Sequence, residues 1–197
     1  GSGEDAGAVV EEEVAALVVY SERELAKEME TVREQMGNAS EWTVRQGALR
    51  RLQALVLGGC TEFETFASLL KNLREPLSAQ CSELRSSLVK EATHALELLV
   101  GRMRETFEPF AEVYVPILLK GTVVTIQVIS QSSHACVRAI ILNSMPIKCL
   151  PKLLSAVSDR SSTIRKNGME CILLLLDVLP AHAEGERCPL ERHADAL

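Results

Sequence analysis

The residues of this sequence most suited to chemistry are cations that follow serines at the start of apolar helical stretches. Four stretches share the order serine, β-branched apolar residue and, at once, a cation, and the cations are Arg45, Lys90, Arg138 and Arg165. The partial positive charge at the amino end of a helix opposes such a cation by some tenths of a kcal/mol. A row of cations and hydroxyl groups binds acidic groups through charge-assisted hydrogen bonds. One interpretation of the pattern is therefore recognition of an acidic surface.

Four unfavourable placements of cations need an explanation, and the sequence leaves two explanations open. In the first, stacked helical hairpins line up the helix starts along one edge, where the cations face an acidic partner. In the second, the β-branched residue packs in the core while the cation covers a neighbouring repeat or pairs with a carboxylate such as Asp159. Trp42, the single tryptophan, also lies at a helix start, either as a half-buried packing residue or as a rigid contact of an interface.

The patterns typical of enzymes and metal sites do not occur in the sequence. Its histidines and cysteines form no HExxH or CxxC pair, and it contains no GxSxG motif or phosphate-binding glycine loop. We therefore expect no catalytic residue, no metal and no cofactor. Six cysteines among apolar neighbours are typical of free thiols in a reducing compartment, so we expect a cytosolic protein. The sequence has neither the pattern of a signal peptide nor an apolar run long enough for a membrane span.

The composition favours stacked helices. Of the 197 residues, 47% are apolar and only 4% aromatic, which suits an all-α fold better than a β-sandwich. The net charge of −6 is concentrated at the two ends of the chain. We expect residues 1–20 to be an acidic flexible linker, residues 21–180 a folded domain, and residues 181–197 a polar tail or a diverged end of the array. The net negative charge argues against nucleic-acid binding, whereas the helical body without the two ends is close to neutral and leaves room for a local basic edge.

Helical periodicity predicts about four hairpins, which together form an α-solenoid of the HEAT class. Ser21 and Glu24 form a capping box at the start of the first helix, which ends at Gly37, and the second helix is predicted over residues 42–57. The inner helix of the second hairpin is predicted over residues 88–103. These elements place Arg45 and Lys90 near the starts of inner helices.

Other boundaries depend on weaker signals. Residues 61–64 predict another capping box, and Pro76 predicts a break in the helix that follows. Residues 113–129 are rich in β-branched side chains but have no strand to pair with, so we interpret them as one buried helix. We then expect the third inner helix to begin at Ser133 and the fourth at Ser162.

Several stretches resemble the TOG domain of the CLASP family of microtubule-associated proteins, over about residues 20–180. The likeness rests on short blocks, which are Trp42-Thr43-Val44-Arg45, residues 49–59, Leu69-Leu70-Lys71 and residues 85–90. Residues 20–25 and the Leu57-Gly58-Gly59 turn are most similar to plant and algal members. The resemblance implies a paddle of HEAT hairpins, part of a larger parent protein on cytoplasmic microtubules. It also implies that the intra-hairpin turns bind αβ-tubulin or the microtubule lattice.

Carried over by position, the resemblance implies tubulin contacts at four turns. Turn by turn, the residues are Trp42, Thr43 and Arg45; Arg85, Ser86, Ser87 and Lys90; Ser133, His134 and Arg138; and Arg160, Ser161, Ser162 and Arg165. Two other functions stay open, a HEAT scaffold that binds a different protein through its concave face and a regulatory subunit of an enzyme. Family domains usually have six hairpins, whereas this sequence shows about four before its polar tail.

Overall fold

Nine α-helices form four antiparallel hairpins in the computed structural model, which describes residues 13–179. The helices are α1 Glu22–Met36, α2 Trp42–Leu57, α3 Phe66–Asn72, α4 Arg74–Cys81, α5 Ser86–Met103, α6 Glu108–Gly121, α7 Gln127–Ser144, α8 Leu150–Val157 and α9 Ser162–Val178. Within these residues no strand is present, so the predicted all-α fold class is confirmed.

The helices stack in two layers. In the inner layer α2, α5, α7 and α9 contact one another in succession, and in the outer layer α1, α4, α6 and α8 do the same. The short helices α3 and α4 together make the outer arm of the second hairpin. Each hairpin buries one apolar stripe against its neighbours, as in other solenoids. The predicted α-solenoid is therefore confirmed over the described residues.

The core lies between the two layers. Its aliphatic residues recur at helical spacing, as Leu25, Met29, Val32 and Met36 do on α1. Near the middle of the stack, three buried aromatic rings form a cluster around Phe107. The ring centroid of Phe107 lies 5.6 Å from that of Phe110 and 6.3 Å from that of Tyr114. This continuous core holds the hairpins in a fixed register.

The first hairpin follows the sequence closely. Helix α2 has the predicted bounds, and α1 begins after Ser21, whose Oγ accepts from the Glu24 amide at 3.1 Å. The other half of the capping box differs, because the Glu24 carboxylate accepts from the Tyr20 amide at 2.9 Å. Helix α1 ends at Gly37 as predicted, with right-handed backbone at that residue.

The third hairpin corrects the sequence prediction. Residues 113–129 are not one helix, because α6 ends at Gly121 and α7 begins at Gln127. The chain leaves the helix at Thr122, whose Oγ1 donates to the carbonyl oxygen of Leu119 at 2.6 Å. The residues that follow are β-branched and have a lower helix propensity, so forming a turn there costs little free energy. Ser133 consequently lies inside α7 rather than at its start.

The outer arm of the second hairpin also differs from the prediction. Residues 61–64 form no capping box, because Cys60–Glu62 is a short 3-10 helix and α3 begins only at Phe66. The break in the arm lies at Leu73, and Pro76 is in the first turn of α4. A proline is tolerated there because the amides of the first turn have no partner within the helix.

The segment before α1 is not helical but packs on the domain. The Leu17 amide donates to the carbonyl of Ala54 at 2.8 Å, and the side chain of Val19 is buried. Gly58 lies so close that a Cβ atom there would be 2.0 Å from the carbonyl oxygen of Leu17. Most of the predicted linker and the whole predicted tail lie outside the described residues, and the domain limits stay a prediction.

Candidate functional site

The four intra-hairpin turns lie along one edge of the stack, which we call the turn edge. They comprise residues 37–41, 82–85, 122–126 and 158–161. Because each hairpin packs beside the preceding one with its helices in the same direction, the turns of successive hairpins are neighbours. The turn edge therefore combines side chains that are distant in sequence.

Trp42 and Arg85 join the first two turns. The guanidinium carbon of Arg85 lies 4.5 Å from the ring centroid of Trp42, which is the geometry of a cation–π contact. Trp42 is half-buried and packs against the core, whereas Arg85 is exposed. Thr43 is exposed next to the ring, and Ser86 is half-buried at the start of α5. The structure thus brings together residues that the sequence predicted for two separate turns.

Arg45 lies behind this pair and bridges the first two hairpins. Its Nη1 atom is 2.9 Å from Oε2 of Glu83 and 3.3 Å from Oε1 of Gln80. The pKa of Glu83 is lowered, first by a hydrogen bond from the Leu84 amide and then by Arg45. The structural explanation for the cation pattern therefore holds at Arg45, which positions the second turn.

Two residues that shape these turns were not predicted. Asn38 Oδ1 accepts from the amides of Ser40 and Glu41, at 3.0 and 2.9 Å, and so holds the first turn. An asparagine just after a helix end, two residues before a serine, is a recognisable signal for such a turn. Glu83 holds the second turn through Arg45, and its partner, 38 residues away, gives no local signal.

The third set of predicted contacts does not lie at a turn. Ser133 is buried on α7, with its Oγ atom against Gly121. His134 Nε2 lies 3.2 Å from a carboxylate oxygen of Glu170 on α9, and Arg138 bonds the other oxygen of that carboxylate. Burial lowers the pKa of His134, and the charge of Arg138 lowers it further. The prediction of a turn at these residues is wrong because α7 begins six residues before Ser133, at Gln127.

The observed third turn is apolar instead. Val123 is 40% exposed and Ile126 is 41% exposed, and both residues precede the start of α7. Leu84 of the second turn is 68% exposed on the same edge. An apolar stretch therefore continues the turn edge beyond Trp42 and Arg85. Sequence reasoning missed it because these residues resembled a buried helix.

The fourth turn is held by its own residues. Ser161 Oγ accepts from the Ile164 amide at 3.4 Å, and the Ser161 amide donates to Asp159 Oδ1 at 2.8 Å. Arg165 Nη1 donates to the carbonyl oxygens of Asp159 and Arg160, both at 2.9 Å. Arg165 therefore stabilises the turn through backbone carbonyls. Arg160 is exposed and so is Ser162.

Lys90 faces a different surface of the inner layer. It is exposed on α5 and lines a groove of about 890 Å³ that runs over α2, α5 and α7. We call this the concave groove. Its other polar residues are Glu13, Gln46, Arg50, Gln53, Glu91, Thr93, His94, Glu97 and Ser132. Ser87, at the start of the same helix, is half-buried.

Residues 13–179 contain no candidate metal centre and no candidate membrane span. No group of three or more His, Cys, Asp and Glu side chains in this part is arranged to hold a metal ion. None of the helices in this part is long and apolar enough to cross a membrane. The cysteines of these helices and turns, at positions 60, 81, 136, 149 and 171, are buried free thiols. His182, Cys188 and His193 lie outside the described residues.

Comparison with known proteins places the chain in a family. A family model described as CLASP N terminal matches residues 23–188. A CLIP-associated protein of Arabidopsis thaliana is 37% identical over 91% of this chain and 12% of its own length. CLIP-associating protein 1 of Xenopus tropicalis is 27% identical over 94% of this chain and 12% of its own length.

A third relative is an uncharacterised protein of Dictyostelium discoideum, 34% identical over 79% of this chain and 19% of its own length. The chain therefore spans less than a fifth of each of these relatives. The plant protein is more similar than the frog protein, in line with the resemblance seen in the sequence. With a matched region that includes almost every residue of the helical stack, the chain is a TOG domain of the CLASP family of microtubule-associated proteins.

Proposed function

We propose that this domain binds αβ-tubulin through the turn edge, either as the free dimer or in the microtubule lattice. The observation that carries the proposal is the contact between Trp42 and Arg85, because it joins a half-buried aromatic ring and an exposed cation from two turns in one surface. Such surfaces, with an aromatic anchor and an arginine, are typical of interface hot spots. Membership of the CLASP family supports tubulin as the partner.

The site residues divide into two groups under this proposal. Those that contact the partner are Trp42, Thr43, Arg85, Ser86, Ser87, Arg160 and Ser162. Lys90, which the resemblance also implied, faces the concave groove and is not part of the turn edge. Arg45, Arg138, Ser161 and Arg165 instead hold the hairpins or the turns in position. At the third turn Val123 and Ile126 replace Ser133 and His134 as contacts. The role is one of binding, without catalysis and without a cofactor.

Binding of this kind depends on salt. Arg85 and Arg160 are exposed cations and meet an acidic partner in water, where ionic strength screens their attraction. The apolar anchor Trp42 is not screened, so part of the affinity persists at high salt. We expect the cations to increase the association rate and Trp42 to slow dissociation.

The test is co-elution with purified αβ-tubulin in size-exclusion chromatography. The variant Trp42→Ala/Arg85→Ala is expected to raise the dissociation constant at least about tenfold, equal to about 1.4 kcal/mol. The matched control is Tyr20→Ala/Lys71→Ala, which removes an 84% exposed aromatic ring and an exposed cation from outside the turn edge. Unchanged co-elution of the first variant, with a native melting curve, would contradict the proposal.

A second candidate function uses the concave groove. A groove of about 890 Å³ along three inner helices can accommodate a segment of another protein, as in other HEAT scaffolds. Binding there would be insensitive to Trp42→Ala and sensitive to Arg50→Ala on the groove wall. We also propose that the chain is part of a longer parent protein with other domains, located on cytoplasmic microtubules. In support, the chain covers only 12% of the plant relative.

A further inference from the structure

A cleft opens on the turn edge between the second and third turns, and we call it the turn cleft. Its volume is about 260 Å³. Pockets for small molecules and cofactors usually have about 300–1,000 Å³, so the turn cleft fits a single side chain instead. Its apolar lining consists of Cys81, Leu84, Ile117, Val124 and Ile129. An apolar side chain that enters the cleft is therefore removed from water.

Both walls of the turn cleft are held by hydrogen bonds within the domain. At the second turn the Oγ atom of Ser82 donates to the carbonyl oxygen of Ser78 at 3.1 Å. At the third turn the amide of Val124 donates to the carbonyl oxygen of Gly121 at 3.2 Å. A preformed site loses little conformational entropy when a partner binds, so the turn cleft is suited to binding as it stands.

The rim of the turn cleft has one cation that is not engaged elsewhere. Lys120, near the end of α6, is exposed and lines the cleft. Among residues 13–179 no carboxylate forms an ion pair with it. The other charged residue of the lining is Glu83, whose carboxylate already accepts from Arg45 at 2.9 Å. The charge of Lys120 is therefore available to a carboxylate of a partner.

Leu84 connects the turn cleft to the contact between Trp42 and Arg85. It lines the cleft, is 68% exposed and directly precedes Arg85 in the second turn. Ile126 of the third turn is 41% exposed on the same edge. Large apolar side chains that are exposed together mark interaction sites. The turn cleft thus continues the surface that the proposed function assigns to the partner.

We propose that the turn cleft receives one branched apolar side chain of the partner, and that a carboxylate beside that side chain pairs with Lys120. The apolar side chain contacts Ile117 and Ile129, while the carboxylate stays at the rim. Lys120 then supplies at the third turn the cation that the resemblance assigned to Arg138. The identity of the partner as αβ-tubulin rests on the proposed function, whereas the chemistry of the cleft does not.

The chemistry of the cleft is tested in the full chain without tubulin. The probe is 4-methylpentanoate, which combines a leucine-like tail with a carboxylate, and it is titrated in the millimolar range while backbone amide signals are followed by NMR. We expect saturable shifts at Ile117, Val124 and Ile129. The alcohol 4-methylpentan-1-ol, which lacks the carboxylate, should bind about threefold more weakly. Acetate, which lacks the tail, should cause no saturable shift at these residues.

Two variants separate the charge from the apolar cavity. Lys120→Met keeps the length of the side chain but removes its charge, so the acid should lose its advantage of about threefold over the alcohol. The matched control Lys152→Met removes an exposed cation of α8, outside the turn edge, and should leave that advantage unchanged. Val124→Phe fills the cleft and should weaken both probes, with the melting curve as the check of the fold.

The tubulin measurement uses co-elution of the domain with purified αβ-tubulin. Lys120→Met/Val124→Phe is expected to raise the dissociation constant about tenfold, as two contacts are lost. Native co-elution of this variant would overturn the use of the cleft by tubulin, while a loss in Trp42→Ala/Arg85→Ala would still support binding through the turn edge.

The probe measurements decide about the cleft itself. The absence of saturable shifts at Ile117, Val124 and Ile129 would overturn the proposal, and so would an advantage of the acid that survives Lys120→Met. If the probes bind as expected but the native domain does not co-elute with tubulin, the chemistry of the cleft is supported and the proposed function fails.

Discussion

The guanidinium carbon of Arg85 lies 4.5 Å from the ring centroid of Trp42 and so couples the first two intra-hairpin turns. The two residues belong to different hairpins, and only the stacking of α2 against α5 brings them together. A contact of this kind at an exposed site contributes about 0.5–1 kcal/mol. Its larger effect is to hold the Trp42 ring in one orientation on the turn edge.

Arg85→Ala should release the ring of Trp42. Because Trp42 is the single tryptophan, its fluorescence reports on this site alone. We expect a red shift of emission and stronger quenching by acrylamide, since the ring loses the guanidinium that covers one face. Arg160→Ala, which removes another exposed arginine from the same edge, should leave emission unchanged. Identical quenching in the Arg85→Ala and native proteins would contradict the contact.

Glu83→Gln should destabilise the domain in a pH-dependent manner. The pKa of Glu83 is lower in the folded state than its usual value of 4.5, so its stabilising effect is present above that value. The effect is lost as the pH falls through the lower folded pKa, where the native carboxylate becomes protonated. We expect a loss of about 0.5–1 kcal/mol at neutral pH in urea unfolding, which decreases below about pH 4.

The control for that measurement is Glu64→Gln, an exposed carboxylate in the connection before α3. It should change the free energy of unfolding by less than about 0.5 kcal/mol. An equal loss in both variants, or a loss from Glu83→Gln that does not vary with pH, would rule out the bridge to Arg45.

Gly58→Ala should loosen the segment that precedes α1. A Cβ atom at Gly58 would lie 2.0 Å from the carbonyl oxygen of Leu17, so the segment has to move. We expect a loss of about 1–3 kcal/mol in urea unfolding and faster hydrogen exchange at the Leu17 amide. Gly47→Ala is the matched control. Gly47 lies inside α2, and a Cβ atom at this position would have no neighbouring atom within 4 Å. That variant should gain about 0.5–1 kcal/mol.

Gly121→Ala should strain the crossing of α6 and α7. The added Cβ atom would lie 2.4 Å from the Oγ atom of Ser133 and 2.9 Å from its Cβ atom. Overpacking of this kind costs about 1–3 kcal/mol. Ser133→Gly in the same chain removes both atoms and should recover part of the loss in a double-mutant cycle of thermal unfolding. Purely additive effects of the two changes would show that Ser133 does not pack there.

Much of the fold was predictable because its signals are local. The capping serine at Ser21, the stop at Gly37 and the apolar stripe of residues 42–57 set the first hairpin through contacts within a few residues. The third turn was not predictable in the same way. Val123 and Ile126 suit a strand, a buried helix or an exposed turn, and only packing of α7 on α5 and α6 decides among these.

The sequence by itself determined the helical class, the repeat of hairpins and the edge on which the turns of the first, second and fourth hairpins lie. Only the tertiary structure decided the roles of the cations that contact other hairpins. Arg45 and Arg138 pair with Glu83 and Glu170, partners 38 and 32 residues away, while Arg85 covers a tryptophan of another hairpin. Helix starts are set by local backbone energetics, whereas the partner of a long side chain depends on which hairpin packs beside it.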